Sequence, residues 1–408
     1  MKNPLSKAFR ALENFNFRLW TAGGLVSNIG TWMQRVAQDW IVLTQLTHHD
    51  ATAVGIVTGL QFAPQLLLLP WSGLAADRLN QRKLLMLTQA SMGVLATALG
   101  ILTISGYVRL WHVYVFAFVF GAAAALDAPV RQTFVGEMVG DEHLPNAVAL
   151  NSTSFFAAQM IGPAVAGLVI AQIGTGWAFL LNGLSFGAVL LSMYLLRIQE
   201  LRTSARASRG SGGFIEGLRY VWARPDLRSI LVMLFLIGTF GFNFPVFIST
   251  MAVNVFHTDA RGFGLLSSIM AIGTMCAALL AAGGGKPKFG RLLLGTGVFG
   301  IGCALAALSP GYWWFAAALA VIGVAALTFT IATNSMMQLS TKPAMRGRVM
   351  ALRVGVGLGG TVIGAPIEGW VANQFGPRWT LGMAAVSGFL AALVAALMMA
   401  RPVAAIEN

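Results

Sequence analysis

A stretch in the first half of the chain recurs in the second half, and this repeat decides the fold. Residues 147–177 read AVALNSTSFFAAQMIGPAVAGLVIAQIGTGW, and residues 349–379 read VMALRVGVGLGGTVIGAPIEGWVANQFGPRW, with no gap needed between them. The matched pairs include Ala149/Ala351, Leu150/Leu352, Ile161/Ile363, Gly162/Gly364, Gly167/Gly369, Gln172/Gln374, Gly174/Gly376 and Trp177/Trp379. Chance similarity between Gly- and Ala-rich helices is the alternative, but the glutamine and tryptophan matches in one register favour an internal repeat.

Apolar runs of this kind continue along the whole chain of 408 residues. Hydrophobic residues make up 57% of it and charged residues 10%, whereas a soluble domain carries about 25% charged residues. The runs are roughly 20 to 28 residues long and apolar on every side, which favours membrane-spanning helices over alternating barrel strands. We predict an all-α polytopic membrane protein with twelve transmembrane helices, at about 18–46, 52–76, 84–106, 111–136, 146–172, 176–197, 227–256, 262–284, 291–309, 312–337, 347–373 and 379–400.

The repeat divides the predicted helices into two parallel sets of six, an arrangement typical of transporters with a site between the repeats. We predict an N-terminal six-helix bundle (1–197), a polar linker (198–226) and a C-terminal six-helix bundle (227–408). The linker begins Ser/Gly/Arg-rich, and its segment 214–222 is predicted to form a short amphipathic helix on the inner membrane surface.

The basic charge reflects topology rather than nucleic-acid binding. Of the 27 Lys and Arg residues, most lie at the termini and on the loops that follow even-numbered spans. The positive-inside rule then places both termini of this multi-pass membrane protein in the cytoplasm. Residues 1–20 lack a short apolar core with a small-residue cleavage site, so we expect no removable signal peptide.

Motifs of other protein classes are missing from the sequence. Cys276 and Cys303 both fall in apolar segments, where packing is the simplest interpretation. The five histidines map to loops or span ends, and there is no HExxH, GxSxG or P-loop pattern. We therefore expect no metal site, no enzyme activity and no ATP-driven pump.

The loop after the second span reads GLAADRLNQRK, residues 73–83. It is similar to the cytoplasmic motif of the major facilitator superfamily, Gly-x-x-x-Asp-Arg-x-Gly-Arg-Arg/Lys. Asn80 replaces the motif's glycine, which we expect to be tolerated because Asn also visits left-handed backbone conformations. Gln81 replaces a basic residue, and the corresponding second-half loop, GGGKPKFGRLL, has no acidic residue. Any short cytoplasmic loop is basic, but an Asp at the motif's distance from Gly73 favours the resemblance.

Longer segments resemble the enterobactin-exporter and drug-efflux branch of that superfamily. They are NFRLWTAGGLVSNIGTWMQRVAQDWIVLTQLT (16–47), LDAPVRQTFVGEMVGDEHLPNAVALNS (126–152) and RGRVMALR (346–353). The resemblance implies proton-coupled export of an amphipathic small molecule, such as a drug or siderophore, by alternating access. It implies a protein of the bacterial inner membrane that uses the proton gradient and needs no cofactor. The oligomeric state stays open, but a single set of twelve spans is functionally complete, so we expect a monomer to be sufficient. An uptake permease or a lysophospholipid flippase on the same fold stays open as an alternative.

The first span carries a polar stripe. At 100° per residue, Asn28, Trp32, Arg35 and Asp39 share one face, which must meet protein or water rather than lipid. Arg35 and Asp39 are spaced to pair with each other. They either fix the packing of this span or form a cavity wall that binds substrate and a proton; the resemblance favours the cavity wall.

Asp127 and Arg131 repeat that spacing in the fourth span. The resemblance links Arg131 to proton coupling or to the loop motif, while a structural latch is the alternative. The predicted cytoplasmic gate consists of Gly73, Asp77, Arg78, Arg82, Asp127 and Arg131.

Other polar groups lie within predicted spans. Glu368 has no basic neighbour on its own helix, which suits a proton carrier and equally suits a residue near the outer surface. Gln61 and Gln65 share a face of the second span, and Asn243 and Asn334 add uncharged hydrogen-bonding groups. We assign these five residues to the predicted substrate and proton pathway, with the stripe of the first span.

The fifth span contains a shortened relative of the superfamily's antiporter motif. Gly162, Pro163 and Gly167 are predicted to form a hinge there. Ordinary close packing explains most Gly-rich membrane helices and is the alternative.

Overall fold

All of the regular structure in the described residues is helical. The computed structural model describes residues 9–140, 142–202, 214–282 and 289–399. Its helices in the first half are α1 (Phe15–Ile41), α2 (Ala51–Leu67), α3 (Leu69–Arg78), α4 (Gln81–Ile104), α5 (Leu110–Met138), α6 (Leu144–Ile173) and α7 (Thr175–Tyr194). Those in the second half are α8 (Phe214–Ala223), α9 (Pro225–Phe240), α10 (Phe244–Thr250), α11 (Ala260–Ala282), α12 (Phe289–Ala307), α13 (Tyr312–Ser340), α14 (Arg346–Phe375) and α15 (Pro377–Met399). Short π-helical turns, Val42–Leu46 and Met251–Val255, extend α1 and α10.

The long helices coincide with the predicted spans. Among the described residues, 10 helices are long and apolar enough to cross a membrane, and 11 if the bent pair α2–α3 is one span. The remaining long helix, α1, has 27 residues and is less apolar because it carries the polar stripe. The predicted all-α architecture with two six-helix repeats is confirmed.

Two breaks in the helices were not predicted. α2 and α3 meet at a bend of 58° around Leu68, just before Pro70. α9 ends at Phe240 and α10 begins at Phe244, with Pro245 in its first turn. Hydrophobicity continues through both places, so the apolar runs looked unbroken. Each proline lacks a backbone N–H and therefore favours the start of a new helix.

Glycines at corresponding positions of the two repeats have the same structural roles. Gly174 and Gly376 end α6 and α14 with φ of +94° and +100°, a left-handed region that favours glycine. A Cβ built at Gly162 would lie 2.8 Å from the Ile29 carbonyl oxygen of α1. One built at Gly364 would overlap the Thr239 carbonyl of α9. Each repeat thus packs its fifth helical span against its first through the same glycine.

Contacts group the chain into two compact units that differ from the two halves in chain order. The described part of unit 1 is 9–46, 67–140, 142–202 and 259–268, and that of unit 2 is 47–66, 214–258, 269–282 and 289–399. In unit 1, Gly167 meets the start of α11, with its built Cβ 2.7 Å from the Ala260 carbonyl oxygen. In unit 2, Gly369 meets the start of α2 in the same way, 2.8 Å from the Thr52 Cα. The predicted domain boundaries concern the repeat and stay a prediction.

The linker contains the short helix expected there. α8 spans Phe214–Ala223, against a prediction of 214–222. Its Glu216 pairs with Arg348 at 2.8 Å, and a Cβ built at Gly217 would lie 3.0 Å from the Arg348 Cβ. α8 is therefore docked on the first turn of α14 within unit 2.

Candidate functional site

The polar face of α1 brings aromatic, basic and acidic groups together. The Arg35 guanidinium lies over the Trp32 ring, 4.8 Å from its centroid. Asp39, one turn further, is only 6% exposed and interacts electrostatically with Arg35. Asn28, Trp32 and Arg35 are partly exposed. A molecule that reached this face would meet a cation stacked on a flat aromatic surface, with a carboxyl group beside it.

The other side of Trp32 is packed against α6. The ring makes an edge-to-face contact with Phe155 at 5.8 Å, and the Trp32 Cβ would lie 2.5 Å from a Cβ at Gly162. α6 runs unbroken from Leu144 to Ile173 with Pro163 inside it. The glycines of the predicted hinge thus serve close packing in this structure, and bending at Pro163 stays a prediction.

Asp127 lies at the centre of a buried network in unit 1. One carboxylate oxygen accepts from Thr88 Oγ1 at 2.8 Å and from Gln89 Nε2 at 2.7 Å, and the other accepts from Arg131 Nε at 3.0 Å. The Arg131 guanidinium in turn lies 5.5 Å from the Trp20 ring centroid. The network ties α5 to α4 and α1, and it favours the structural interpretation of this pair.

The loop motif of the second span connects α3 to α4. Asn80 has φ of −67° and ψ of 112°, and its side chain accepts from Lys83 N at 3.0 Å as the N-cap of α4. Asn80 is tolerated here for another reason than left-handed freedom: as an extended N-cap it satisfies a free N–H of the first helical turn. Arg82 Nε donates to the Met193 carbonyl of α7 at 3.0 Å. Gly73 lies within α3, Arg78 is exposed at its end, and the Asp77 side chain lies outside the described residues.

The uncharged polar residues of unit 2 are spread over several helices. Gln65 Nε2 donates to the Gln61 carbonyl at 3.2 Å, so these two share a face of α2 as predicted. Asn334 is partly buried on α13.

Glu368 and Asn243, predicted separately, lie together in unit 2. Both are fully buried, and the Asn243 amide lies beside the Glu368 carboxyl. Asn243 Nδ2 donates to the Thr239 carbonyl at 2.7 Å. The second N–H of that amide is within reach of the Glu368 carboxyl, although neither Glu368 oxygen makes a hydrogen bond of standard geometry within the described part of the chain. Glu368 is thus buried within the protein, and its place in a proton pathway stays a prediction.

Several residues of these clusters were not predicted. Thr88 and Gln89 are buried and polar, but only the tertiary packing of α4 on α5 shows that they face Asp127. Thr239 precedes Asn243 by four residues, and this helical spacing would have found it. Cys303 was interpreted as packing only; it is buried on α12 and close enough to Glu368 to interact electrostatically.

Comparison with known proteins identifies relatives of this chain. The profile described as transmembrane secretion effector matches residues 6–408. A staphyloferrin A transporter of Staphylococcus aureus is 26% identical over 62% of this chain and 63% of its own length. An enterobactin exporter of Shigella flexneri is 24% identical over 88% and 85%. A multidrug efflux pump of Mycolicibacterium fortuitum is 24% identical over 86% and 88%.

Solved structures show the same fold. A bacterial homologue of the human lysosomal transporter Spinster superposes with a TM-score of 0.73, at 16% identity. The match covers 94% of this chain and 96% of that one.

Proposed function

The chain belongs to the transmembrane secretion effector family of the major facilitator superfamily, and from this we propose that it exports an amphipathic small molecule across the membrane in exchange for protons. Membership makes it a multi-pass membrane transporter. The direction, the coupling ion and the substrate are the proposal. The relatives described above are named as a staphyloferrin A transporter, an enterobactin exporter and a multidrug efflux pump.

The observation that carries the proposal is the polar face of α1. Arg35 stacked on Trp32 offers a cation and an aromatic surface together, and both recognise flat, electron-rich or anionic groups. Buried ionisable side chains in a span are costly and mark substrate or proton pathways. We propose that Asp39 and Arg35 form the part of the pathway that exchanges a proton against substrate.

The proposed topology has both termini in the cytoplasm of a bacterial inner membrane. We propose that the two six-helix repeats alternate access to the site, as parallel repeats do in this superfamily, and that a monomer is sufficient. Asn28, Gln61, Gln65 and Asn334 are proposed as uncharged contacts along the pathway.

The experiment that tests this function is energised efflux of a fluorescent dye or drug from cells that overproduce the protein. We expect efflux to stop when the proton gradient is collapsed. Asp39→Asn should reduce it by at least about tenfold, equivalent to about 1.4 kcal/mol of coupling. Glu216→Gln, which changes a largely exposed carboxyl on α8, is the matched control.

Two results would contradict the proposal. Unchanged efflux in Asp39→Asn would remove Asp39 from the mechanism. Accumulation of the tested compounds instead of efflux, or movement of lysophospholipid alone, would favour the permease or flippase alternative.

A further inference from the structure

Arg353 places a cation inside a membrane-spanning helix of unit 2. It lies two turns into α14, at the end of the segment RGRVMALR (346–353), and has no part in the function proposed above. The residue is partly buried, and its Nε is buried completely. An ionised side chain within a span is costly unless a partner compensates it, so such residues commonly mark functional sites.

Among the described residues, the Arg353 guanidinium makes one hydrogen bond. A guanidinium has five N–H groups, and Nη2 donates to the Thr330 carbonyl of α13 at 3.1 Å. The buried Nε has no partner in the described part of the chain. The Thr330 carbonyl also accepts from Thr333 Oγ1 at 3.1 Å and carries no net charge. This bond therefore holds the guanidinium in place without neutralising it.

The acidic groups of the described part of unit 2 are engaged elsewhere. Glu216 and Asp226 pair with other arginines, at 2.8 and 2.7 Å. Asp50 accepts from the first backbone N–H groups of α2. Glu368 lies on α14 itself, but from 353 to 368 the helix rises by about 22 Å. No ion pair within the described residues includes Arg353, so its charge is not balanced by any of them.

Open space adjoins Arg353 on the same face of α14. Gly357 lies one turn further along, and residues four apart share a face of a helix. A Cβ built at Gly357 would meet nothing within 4 Å. The backbone at this point is nevertheless close to α9, since the Gly357 carbonyl oxygen lies 3.5 Å from a Cβ built at Gly238. The missing side chain thus leaves room one turn from the guanidinium, where α14 approaches α9.

Arg346 shows how an arginine with a purely structural role is placed on the same helix. Its Nε donates to the Gln338 carbonyl of α13 at 3.1 Å, and its side chain is exposed, so water satisfies the remaining donors. Extension of the side chain toward water is the ordinary explanation for arginine near the end of a span. It accounts for Arg346, but it does not account for the buried Nε of Arg353.

We propose that Arg353 binds the acidic group of the transported molecule, so that the substrates of the exporter are amphipathic acids. A planar guanidinium binds a carboxylate through two parallel N–H···O bonds. Such a group would neutralise the cation and supply the acceptor that Nε lacks. The inference rests on the proposed function and deepens it, because it names the chemical class of the substrate.

Binding of two dyes to the purified full-length protein in detergent tests this proposal. Carboxyfluorescein and rhodamine 6G share a xanthene ring system, but the first is an anion at neutral pH and the second is a cation. Fluorescence polarisation measures the dissociation constant of each dye without a transport step. We expect Arg353→Gln to weaken the binding of carboxyfluorescein at least about tenfold and to leave the binding of rhodamine 6G unchanged.

Two further variants make the test specific. Arg346→Gln removes an arginine that makes the same kind of bond to α13, and it should leave the binding of both dyes unchanged. Arg353→Lys keeps the charge but not the paired N–H groups, so it should retain part of the affinity for carboxyfluorescein.

Melting temperatures of the same samples separate binding from packing. Because the cation is uncompensated in the empty protein, Arg353→Gln should melt no lower than the unaltered protein. Carboxyfluorescein should raise the melting temperature of the unaltered protein and have no such effect on Arg353→Gln.

The proposal is overturned if carboxyfluorescein does not bind, or if Arg353→Gln binds it as tightly as the unaltered protein does. Equal weakening of both dyes, or a lower melting temperature with dye binding intact, would assign Arg353 to packing instead. Phosphatidylglycerol is the third probe: stabilisation by this lipid through Arg353, without binding of the dye, would assign the site to a lipid headgroup and reject the substrate class. Because these measurements need no proton gradient, a failure of proton-driven efflux is distinguishable from a failure of this site.

Discussion

The buried carboxyl groups of Asp127, Asp39 and Glu368 differ in the hydrogen bonds and charges around them. Asp127 accepts three hydrogen bonds, one of them from Arg131, and is fixed in place. Asp39 has a cation one turn away on its own helix. Among the described residues, Glu368 has neither a hydrogen bond of standard geometry nor an ion pair. A carboxylate whose acceptors are filled stabilises packing, whereas an unsatisfied one is available to a ligand.

For the ion pair of Asp127 and Arg131, we expect the loss of one residue to destabilise the protein more than the replacement of both by apolar residues. Asp127→Ala leaves the buried Gln89 and the partly buried Arg131 without their acceptor, and we expect a loss of about 3 kcal/mol in the free energy of unfolding. The double substitution Asp127→Leu with Arg131→Met should recover part of that loss, because neither charge is left unpaired. Melting temperatures of the purified proteins provide the comparison, and equal losses in both would show that the pair contributes little to packing.

The pairing of Asp127 with Arg131 was predictable, and its wider network was not. Residues four apart on one helix are neighbours in any helix, so the sequence alone predicted the pair. Thr88 and Gln89 come from a different helix, and their register against Asp127 depends on how α4 packs on α5. The same applies to Glu368 and Asn243, which lie far apart in the chain.

Helices are where sequence and structure agree best. Apolar length predicted each span to within a few residues, as for α6, expected at 146–172 and observed at Leu144–Ile173. Breaks were missed because hydrophobicity measures solvation by lipid and not backbone continuity. Pro70 and Pro245 indicate where the breaks lie, because a proline has no backbone N–H with which to continue a helix.

The matched glycines of α6 and α14 give a test at this scale. Gly162→Ala and Gly364→Ala each place a methyl group against the backbone of a neighbouring helix, and we expect each to cost about 2 kcal/mol from overpacking. Gly357→Ala is the control on α14, since its Cβ would meet nothing within 4 Å. It should be neutral or stabilising by up to about 1 kcal/mol, because alanine favours helix.

Melting temperatures measured for the three variants decide this point. If Gly364→Ala unfolded at the same temperature as Gly357→Ala, the close approach of α14 to α9 would not be important for stability.

At the scale of the whole molecule, the predicted sidedness rests on charge rather than on packing. The positions of Lys and Arg were sufficient to predict an orientation, because loops rich in these residues stay on the cytoplasmic side of the membrane. The grouping of contacts into units could not be predicted in this way, since it depends on which distant helices pack together.

Cysteine labelling tests the orientation. The background is a chain with Cys276 and Cys303 replaced by alanine. In it, Ser105→Cys introduces an exposed thiol at the end of α4, and Gln199→Cys introduces one after α7. We expect a membrane-impermeant maleimide to label position 105 in intact cells and position 199 only after the inner membrane is opened. Labelling in the reverse order would place the termini outside.

The composition of the two units has a consequence for biosynthesis. A ribosome delivers the chain from its N-terminus, yet unit 1 includes 259–268, which are made after the linker, α9 and α10. Residues 47–66, which include nearly all of α2, are made early but belong to unit 2. Gly369 on α14, which contacts the start of α2, is made near the end of translation. Neither unit is therefore complete until late in synthesis. In a nascent chain stalled at the linker, helix surfaces of both units would still lack the helices that pack against them.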